Sequence, residues 1–173
     1  MLAVYLARVM GLELYQQILV GIAAIIGHNW PVFLRFSGGR GILTTVGVIF
    51  VLAPWLTISM VVVALLFAPF RQLPLGALLV FAAAPLCSWF LAQLFQIERS
   101  LTIALGFVAV FLLVIIRRLA VSRIQLSDLL PTKELLVNRL LLDRDIKDRK
   151  VWTKRTPLKT NSIEKPLDFS TKR

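Results

Sequence analysis

The segment from Gly27 to Gly47 reads GHNWPVFLRFSGGRGILTTVG and concentrates glycine, aromatic and polar residues inside an otherwise apolar stretch of the 173-residue chain. Gly38, Gly39 and Gly41 surround Arg40 and stand directly before an apolar run that starts near Ile42. Successive glycines reach positive φ without a Cβ penalty and can turn their N–H groups toward one point. The free N–H groups at the start of the following helix add roughly half a positive charge. Such a corner suits a phosphate. Arg40 would supply a permanent cation with a fork of donors, and Thr44 and Thr45 could add hydroxyls one turn into the helix. His28, the only histidine, sits near the end of the preceding apolar stretch and would reach the same corner in a tight hairpin. Simpler roles also fit these residues. The glycines could form only a tight turn, His28 a structural hydrogen bond, and Trp30, Phe33 and Phe36 interface anchors, with Arg35 and Arg71 meeting lipid headgroups.

The elements that position this segment follow from composition. Apolar residues make up 58% of the chain, against 20 Lys and Arg and 9 Asp and Glu, for a net charge of +11. This is too apolar for a water-soluble enzyme of this size. From Met1 to Ile116 there are five basic and two acidic residues, and from Arg117 to Arg173 fifteen and seven. An apolar body, 1–118, therefore precedes a charged portion that divides into a cytoplasmic amphipathic segment, 119–152, and a basic, disordered tail, 153–173. Cys87 is the only cysteine, which excludes a disulfide scaffold.

About 30 Å of hydrocarbon requires roughly 20 apolar residues at 1.5 Å each. Uncharged runs extend over 30 residues from Gly41 to Phe70, 26 from Gln72 to Ile97, 17 from Ser100 to Ile116 and 21 from Leu14 to Leu34. The last of these should be a span ending near Gly27, because His28, Asn29 and Pro31 suit lipid poorly. Backbone groups cannot be left unpaired in lipid, so the segments are expected to be helices. The fold class is thus all-α: a polytopic membrane helix bundle of about five spans, plus the end of a preceding helix that Gly11 terminates. Met1 to Gly11 has no basic leader and no cleavage site, so it does not read as a secretory signal.

Pro54 should divide the 30-residue run. Charge gives an independent reason, since basic residues near span ends stay in the cytoplasm. Arg35 and Arg40 on one side, and Arg117, Arg118 and Arg123 on the other, then require an even number of crossings between them. Gly41–Ala53, Trp55–Pro69, Leu75–Phe95 and Leu101–Ile116 make four. The first two would be short and sheltered by neighbours.

Several soluble chemistries are excluded. No Gly-Lys-Ser/Thr ends a nucleotide loop, no strand precedes the glycines as a dinucleotide site demands, no second His or Cys builds a zinc site, and no Gly-x-Ser-x-Gly elbow occurs. Gly27-His28, Pro31-Val32-Phe33-Leu34, Phe36, Gly38-Gly39-Arg40-Gly41, Thr44 and Gly47 together resemble the second signature of the bacterial acyl-phosphate:glycerol-3-phosphate acyltransferases, close to GHxxPVFLxFKGGKGVATxxG. Ser37 and Arg40 replace its two lysines, and Leu43 its alanine. The resemblance implies a seven-helix inner-membrane enzyme with its signature loops at the cytoplasmic face. Such an enzyme moves an acyl group from acyl phosphate to the 1-position of glycerol 3-phosphate, giving lysophosphatidic acid and phosphate, with no cofactor and no metal. It implies phosphate contacts from Gly38, Gly39, Arg40, Gly41 and Thr44, with His28 orienting substrate or assisting proton transfer. The expected partners are the two phosphorylated substrates and the lipid bilayer, with no nucleic acid. The family's first signature, a loop with Ser, Gly, Asn, Thr and Arg, would lie upstream of Met1, which implies a chain lacking the first helix and part of the second.

A third signature, close to HRxNIxRLxxGxE, is echoed weakly. Aligning on Arg139-Leu140 puts Asp143 at the Gly, Asp145 at the Glu, and Lys133 and Leu136 at the His and Asn; a shift would give Asn138 the Asn role. On their own, residues Glu134 to Lys150 read as an amphipathic helix, with leucines on one side and Asn138, Arg139, Asp143 and Arg144 on the other. Arg139–Asp143 and Arg144–Asp148 are candidate i,i+4 pairs. That helix could lie on anionic lipid or contact substrate. The competing functions are a non-catalytic remnant or scaffold that binds anionic lipid through its basic tail, and a small transporter. Mid-helix ionisable residues, which a transport path needs, are missing from the two longest uncharged runs.

Overall fold

The computed structural model describes residues 1–36, 38–94, 100–120 and 131–147. All regular structure among them is helical: α1 (Leu2–Val9), α2 (Leu14–Asn29), a 3-10 turn (Val32–Leu34), α3 (Ile42–Leu52), α4 (Pro54–Leu65), α5 (Leu73–Leu94), α6 (Ser100–Leu119) and α7 (Thr132–Leu142). Leu14–Leu34, Leu73–Leu94 and Leu101–Leu119 are long and apolar enough to cross a membrane. Outward-facing Leu43, Trp55 and Leu86 are each at least three-quarters exposed. An apolar exterior of this kind is unfavourable in water and suits lipid. The polytopic helical bundle expected from hydropathy is the architecture found.

Local chemistry sets the breaks. Gly11, at φ +76, follows α1. Glu13 caps α2 in a reciprocal box with Gln16. Pro54 opens α4 at its first position, where the missing N–H would have had no helical partner anyway. The extended Ala53 (φ −146) separates α3 from α4. The 30-residue run is therefore two helices of 11 and 12 residues, each only about 17 Å long.

Packing fixes the directions. Asn29 lies against Gly41 and Gly21 against Val48, so α3 runs antiparallel to α2. Gly76, early in α5, is packed on Phe67 just beyond α4, and Arg118 at the end of α6 donates to the Pro74 carbonyl at 2.7 Å. The chain thus leaves the Arg40 end along α3, returns along α4, leaves along α5 and returns along α6. Arg40 and Arg117 share one end of the bundle, as an even number of traverses requires. Val4, Ile25, Val48, Phe81, Phe107 and Val110 form the buried centre.

Two expectations are corrected. Helix α2 continues through His28 to Asn29 rather than ending near Gly27, because the Trp30 N–H still reaches the Ile26 carbonyl at 2.9 Å. Helix α7 ends at Leu142, well short of Lys150, where Asp143 turns left-handed at φ +55. Its polar side is not the outer one: Asn138 and Arg139 are buried along with Leu135, while Leu136, Val137 and Leu141 are exposed. Of the 119–152 segment only 119–120 and 131–147 are described, and the 153–173 tail lies outside the described residues.

Candidate functional site

Four pieces of chain meet at the Arg40 end: the α2–α3 loop, the turn between α4 and α5, the last turn of α6, and α7 with the residues after it. Contact with the end of α2 shapes the glycine loop. A Cβ on Gly38 would lie 2.4 Å from the His28 carbonyl oxygen, one on Gly39 2.7 Å from His28 Nε2, and one on Gly41 2.1 Å from Asn29 Oδ1. The backbone contact at Gly38 and the buried Asn29 side chain at Gly41 leave no room for a side chain, whereas at Gly39 the exposed His28 ring would have to swing aside. Gly41 also holds φ +70 as the residue preceding α3. His28 is consequently beside the glycines, as a tight hairpin predicts.

Among the described residues the backbone N–H groups from Gly38 to Thr44 find no acceptor, and Thr45 is the first to bond, to the Gly41 carbonyl at 2.8 Å. Beneath them Asn29 Oδ1 and Thr45 Oγ1 are buried without partners. Thr44 is half-buried. Open helix-start amides beside a permanent cation are an anion-binding arrangement.

The carbonyls of the same loop face the other way. Arg117 Nε donates to the Gly39 carbonyl at 2.9 Å and Nη2 to the Gly38 carbonyl at 2.6 Å. Its guanidinium carbon sits 5.6 Å from the centroid of Trp30, within cation–π range. Trp30 thus also serves as a platform for Arg117, whereas Phe33 is 98% exposed. Charge bias alone marked Arg117 as an orientation signal; its hold on the loop came from the fold.

Arg40 donates to the carbonyl of Asp143 and pairs with its carboxylate. Arg118 joins α6 to the Leu140 carbonyl of α7 and to Pro74, placing cations on carbonyls near a helix end. Of the residues tied to the third signature, Arg139 and Asp145 form a two-pronged pair, with Nε to Oδ1 at 2.7 Å and Nη2 to Oδ2 at 3.2 Å. Arg139 Nη1 also reaches the Leu119 carbonyl at 3.0 Å, and Asn138 Nδ2 the Asp145 carbonyl at 3.2 Å. This replaces the expected Arg139–Asp143 pair, since Asp143 is held by Arg40. Asp148, expected to pair with Arg144, lies outside the described residues. A cavity of about 430 Å³ opens between Arg40, the α4–α5 turn and the residues after α7.

The structure therefore brings His28, Gly38, Gly39, Arg40, Gly41 and Thr44 to one corner and links them, through Asp143, to Asn138, Arg139 and Asp145. The glycerol-3-phosphate acyltransferase family matches residues 1–125. The chain belongs to this family. A relative in Dehalococcoides mccartyi strain CBDB1, glycerol-3-phosphate acyltransferase 4, is 43% identical over 152 residues, covering 88% of this chain and 66% of the relative. Glycerol-3-phosphate acyltransferase 5 from another strain of that species is 42% identical, with 88% and 65% covered. The acyltransferase of Laribacter hongkongensis is 37% identical over 109 residues, 60% of this chain and 54% of its own. The chain thus spans just under two thirds of the length of the first two curated acyltransferases. No solved structure matches it.

Proposed function

We propose that this acyltransferase-family chain moves an acyl group from acyl phosphate to the 1-hydroxyl of glycerol 3-phosphate, releasing lysophosphatidic acid and phosphate at the cytoplasmic face of a bacterial inner membrane. The observation that carries the reading is the corner itself. Amides from Gly38 to Thr44, without an acceptor among the described residues, flank the cation Arg40, which itself lines a cavity of about 430 Å³. Both substrates carry phosphate, and an acyl phosphate is already activated. The protein's work is to hold the hydroxyl oxygen against the acyl carbon, accept the hydroxyl proton, and neutralise charge that grows on the departing phosphate.

In this reading Gly38, Gly39, Gly41 and Thr44 present donors to phosphate and Arg40 supplies its charge. His28, exposed beside Gly39, orients substrate or carries the proton. Asn138, Arg139 and Asp145 are buried and engaged with one another, so their part is to position α7 rather than to touch substrate. Arg118 bonds a carbonyl of α7 and Arg139 one of α6, which keeps the ends of both helices beside the corner.

The test is acyl transfer by the full 173-residue chain in liposomes, with labelled glycerol 3-phosphate and, in separate runs, acyl phosphate or an acyl thioester. Product with acyl phosphate alone supports the donor assignment. Arg40→Ala should lower transfer at least about tenfold, the effect of losing one charged contact worth about 1.4 kcal/mol in the transition state. Equal turnover by the variant would remove Arg40 from the mechanism, and an absence of transfer by the parent chain would remove the reaction.

A further inference from the structure

The cavity beside Arg40 has a second set of cations that the proposed reaction does not use. Its wall includes Arg40, Arg71, Gln72, Leu142, Asp143 and Arg144. Asp143 is the single carboxylate against three guanidinium groups, and it is already paired with Arg40. Neither Arg71 nor Arg144 has a carboxylate partner among the described residues, and Arg144 Nε is buried without any acceptor. A buried guanidinium N–H left without an acceptor is unfavourable unless a group beyond the described residues pairs with it.

Backbone geometry singles out the same residues. Arg71 is left-handed, at φ +56. It closes a Schellman turn, with its own N–H on the Ala68 carbonyl at 2.9 Å and the Gln72 N–H on the Phe67 carbonyl at 3.1 Å. Glycine is the residue such a position favours. Asp143, on the opposite wall, is likewise a charged residue in a left-handed position that ends a helix, at φ +55. Two strained positions that would be more stable as glycine thus carry charged side chains on one cavity, a pattern that strain at binding sites explains.

We propose that this cavity is a binding site for a phosphate monoester dianion, with Arg71 and Arg144 as its phosphate ligands. The excess of two positive charges matches a dianion. Guanidinium forks suit its oxygens, and about 430 Å³ leaves room for the esterified group. Identification of the ester as glycerol 3-phosphate, rather than the headgroup of a phosphorylated lipid, rests on the proposed reaction; the anion site does not.

The experiment is equilibrium binding of labelled glycerol 3-phosphate, and separately of inorganic phosphate, to the full chain in phosphatidylcholine nanodiscs, with thermal unfolding measured alongside. Arg71→Gly should weaken both ligands about tenfold while the unfolding midpoint stays equal or rises, because it relieves the left-handed strain. Arg144→Gln should weaken them similarly, and Arg71→Lys should recover part of the loss. A nanodisc containing phosphatidate separates the sources. Displacement of the label means that a lipid monoester enters the same site, and no displacement means that the site takes soluble esters; either result keeps the site. The proposal is overturned if the parent chain binds neither ligand, or if Arg71→Gly binds as well as the parent chain, a comparison that does not depend on whether Arg144→Gln folds. Binding retained in a chain that shows no acyl transfer would remove the reaction and leave the site. Transfer retained with affinities unchanged by the variants would do the reverse.

Discussion

Removing the carboxylate of Asp145 should release α7 from the bundle without unfolding the membrane helices. Asp145 is 1% exposed and Arg139 5%, and the carboxylate takes two of the three bonds that Arg139 makes, at 2.7 and 3.2 Å. The third, to the Leu119 carbonyl at 3.0 Å, is a neutral acceptor and cannot balance the charge. An uncompensated buried cation costs about 3–5 kcal/mol, which is a factor of about 10² to 4 × 10³ in the docking equilibrium. Asp145→Ala should therefore open α7 by that factor, read by hydrogen exchange over residues 131–147 against exchange in α5. Asp145→Asn keeps the shape and one acceptor and should fall between. Replacing both partners, Arg139→Met with Asp145→Leu, removes the buried charge altogether and should recover most of the loss. If the double variant opens as readily as Asp145→Ala, the cost does not lie in the unpaired guanidinium and the reasoning is wrong. Because Asp143 follows α7 and holds Arg40, the proposed acyl transfer should decline in step with α7 opening.

Gly41→Ala would combine a left-handed backbone at φ +70 with a methyl 2.1 Å from Asn29 Oδ1. It should destabilise the α2–α3 corner by about 2 kcal/mol or more, visible as faster exchange at Ile42–Thr45. A midpoint and exchange pattern equal to the parent's would count against the close contact between Asn29 and the loop. Arg117→Lys keeps a cation but lacks the fork that bonds Gly38 and Gly39 together at 2.6 and 2.9 Å. It should raise the KM for glycerol 3-phosphate several-fold more than it lowers kcat. An equal fall in kcat with an unchanged KM would show that Arg117 acts in the chemical step instead of holding the loop.

The shape of the α2–α3 loop was legible because its demands are local. Glycines at 38, 39 and 41 around an arginine before an apolar run specify a backbone corner, and the contacts with the end of α2 give the steric reason for Gly38 and Gly41. Pro54 was legible for the same kind of reason, since a proline acts on its own helix turn. Helix α7 was misread in length and in facing. Its leucines suggested an inward apolar side, but Arg139 and Asn138 had acceptors waiting at the end of α6 and at Asp145, and a hydropathy pattern cannot register a partner supplied by another segment.

The chain's residue order by itself determined a helical membrane bundle, its break at Ala53, the common end shared by Arg40 and Arg117, and a glycine corner next to Arg40. These follow from side-chain hydropathy, charge and backbone freedom acting over a few neighbouring positions. The tertiary structure alone decided that Arg117 grips the loop carbonyls over Trp30, that Asp143 takes Arg40 while Arg139 takes Asp145, and that Arg71 and Arg144 share a cavity with neither paired to a carboxylate among the described residues. Ion pairing depends on which groups the packed helices bring within about 4 Å, and residues as far apart in sequence as Arg40 and Asp143 meet only when every intervening helix is in place.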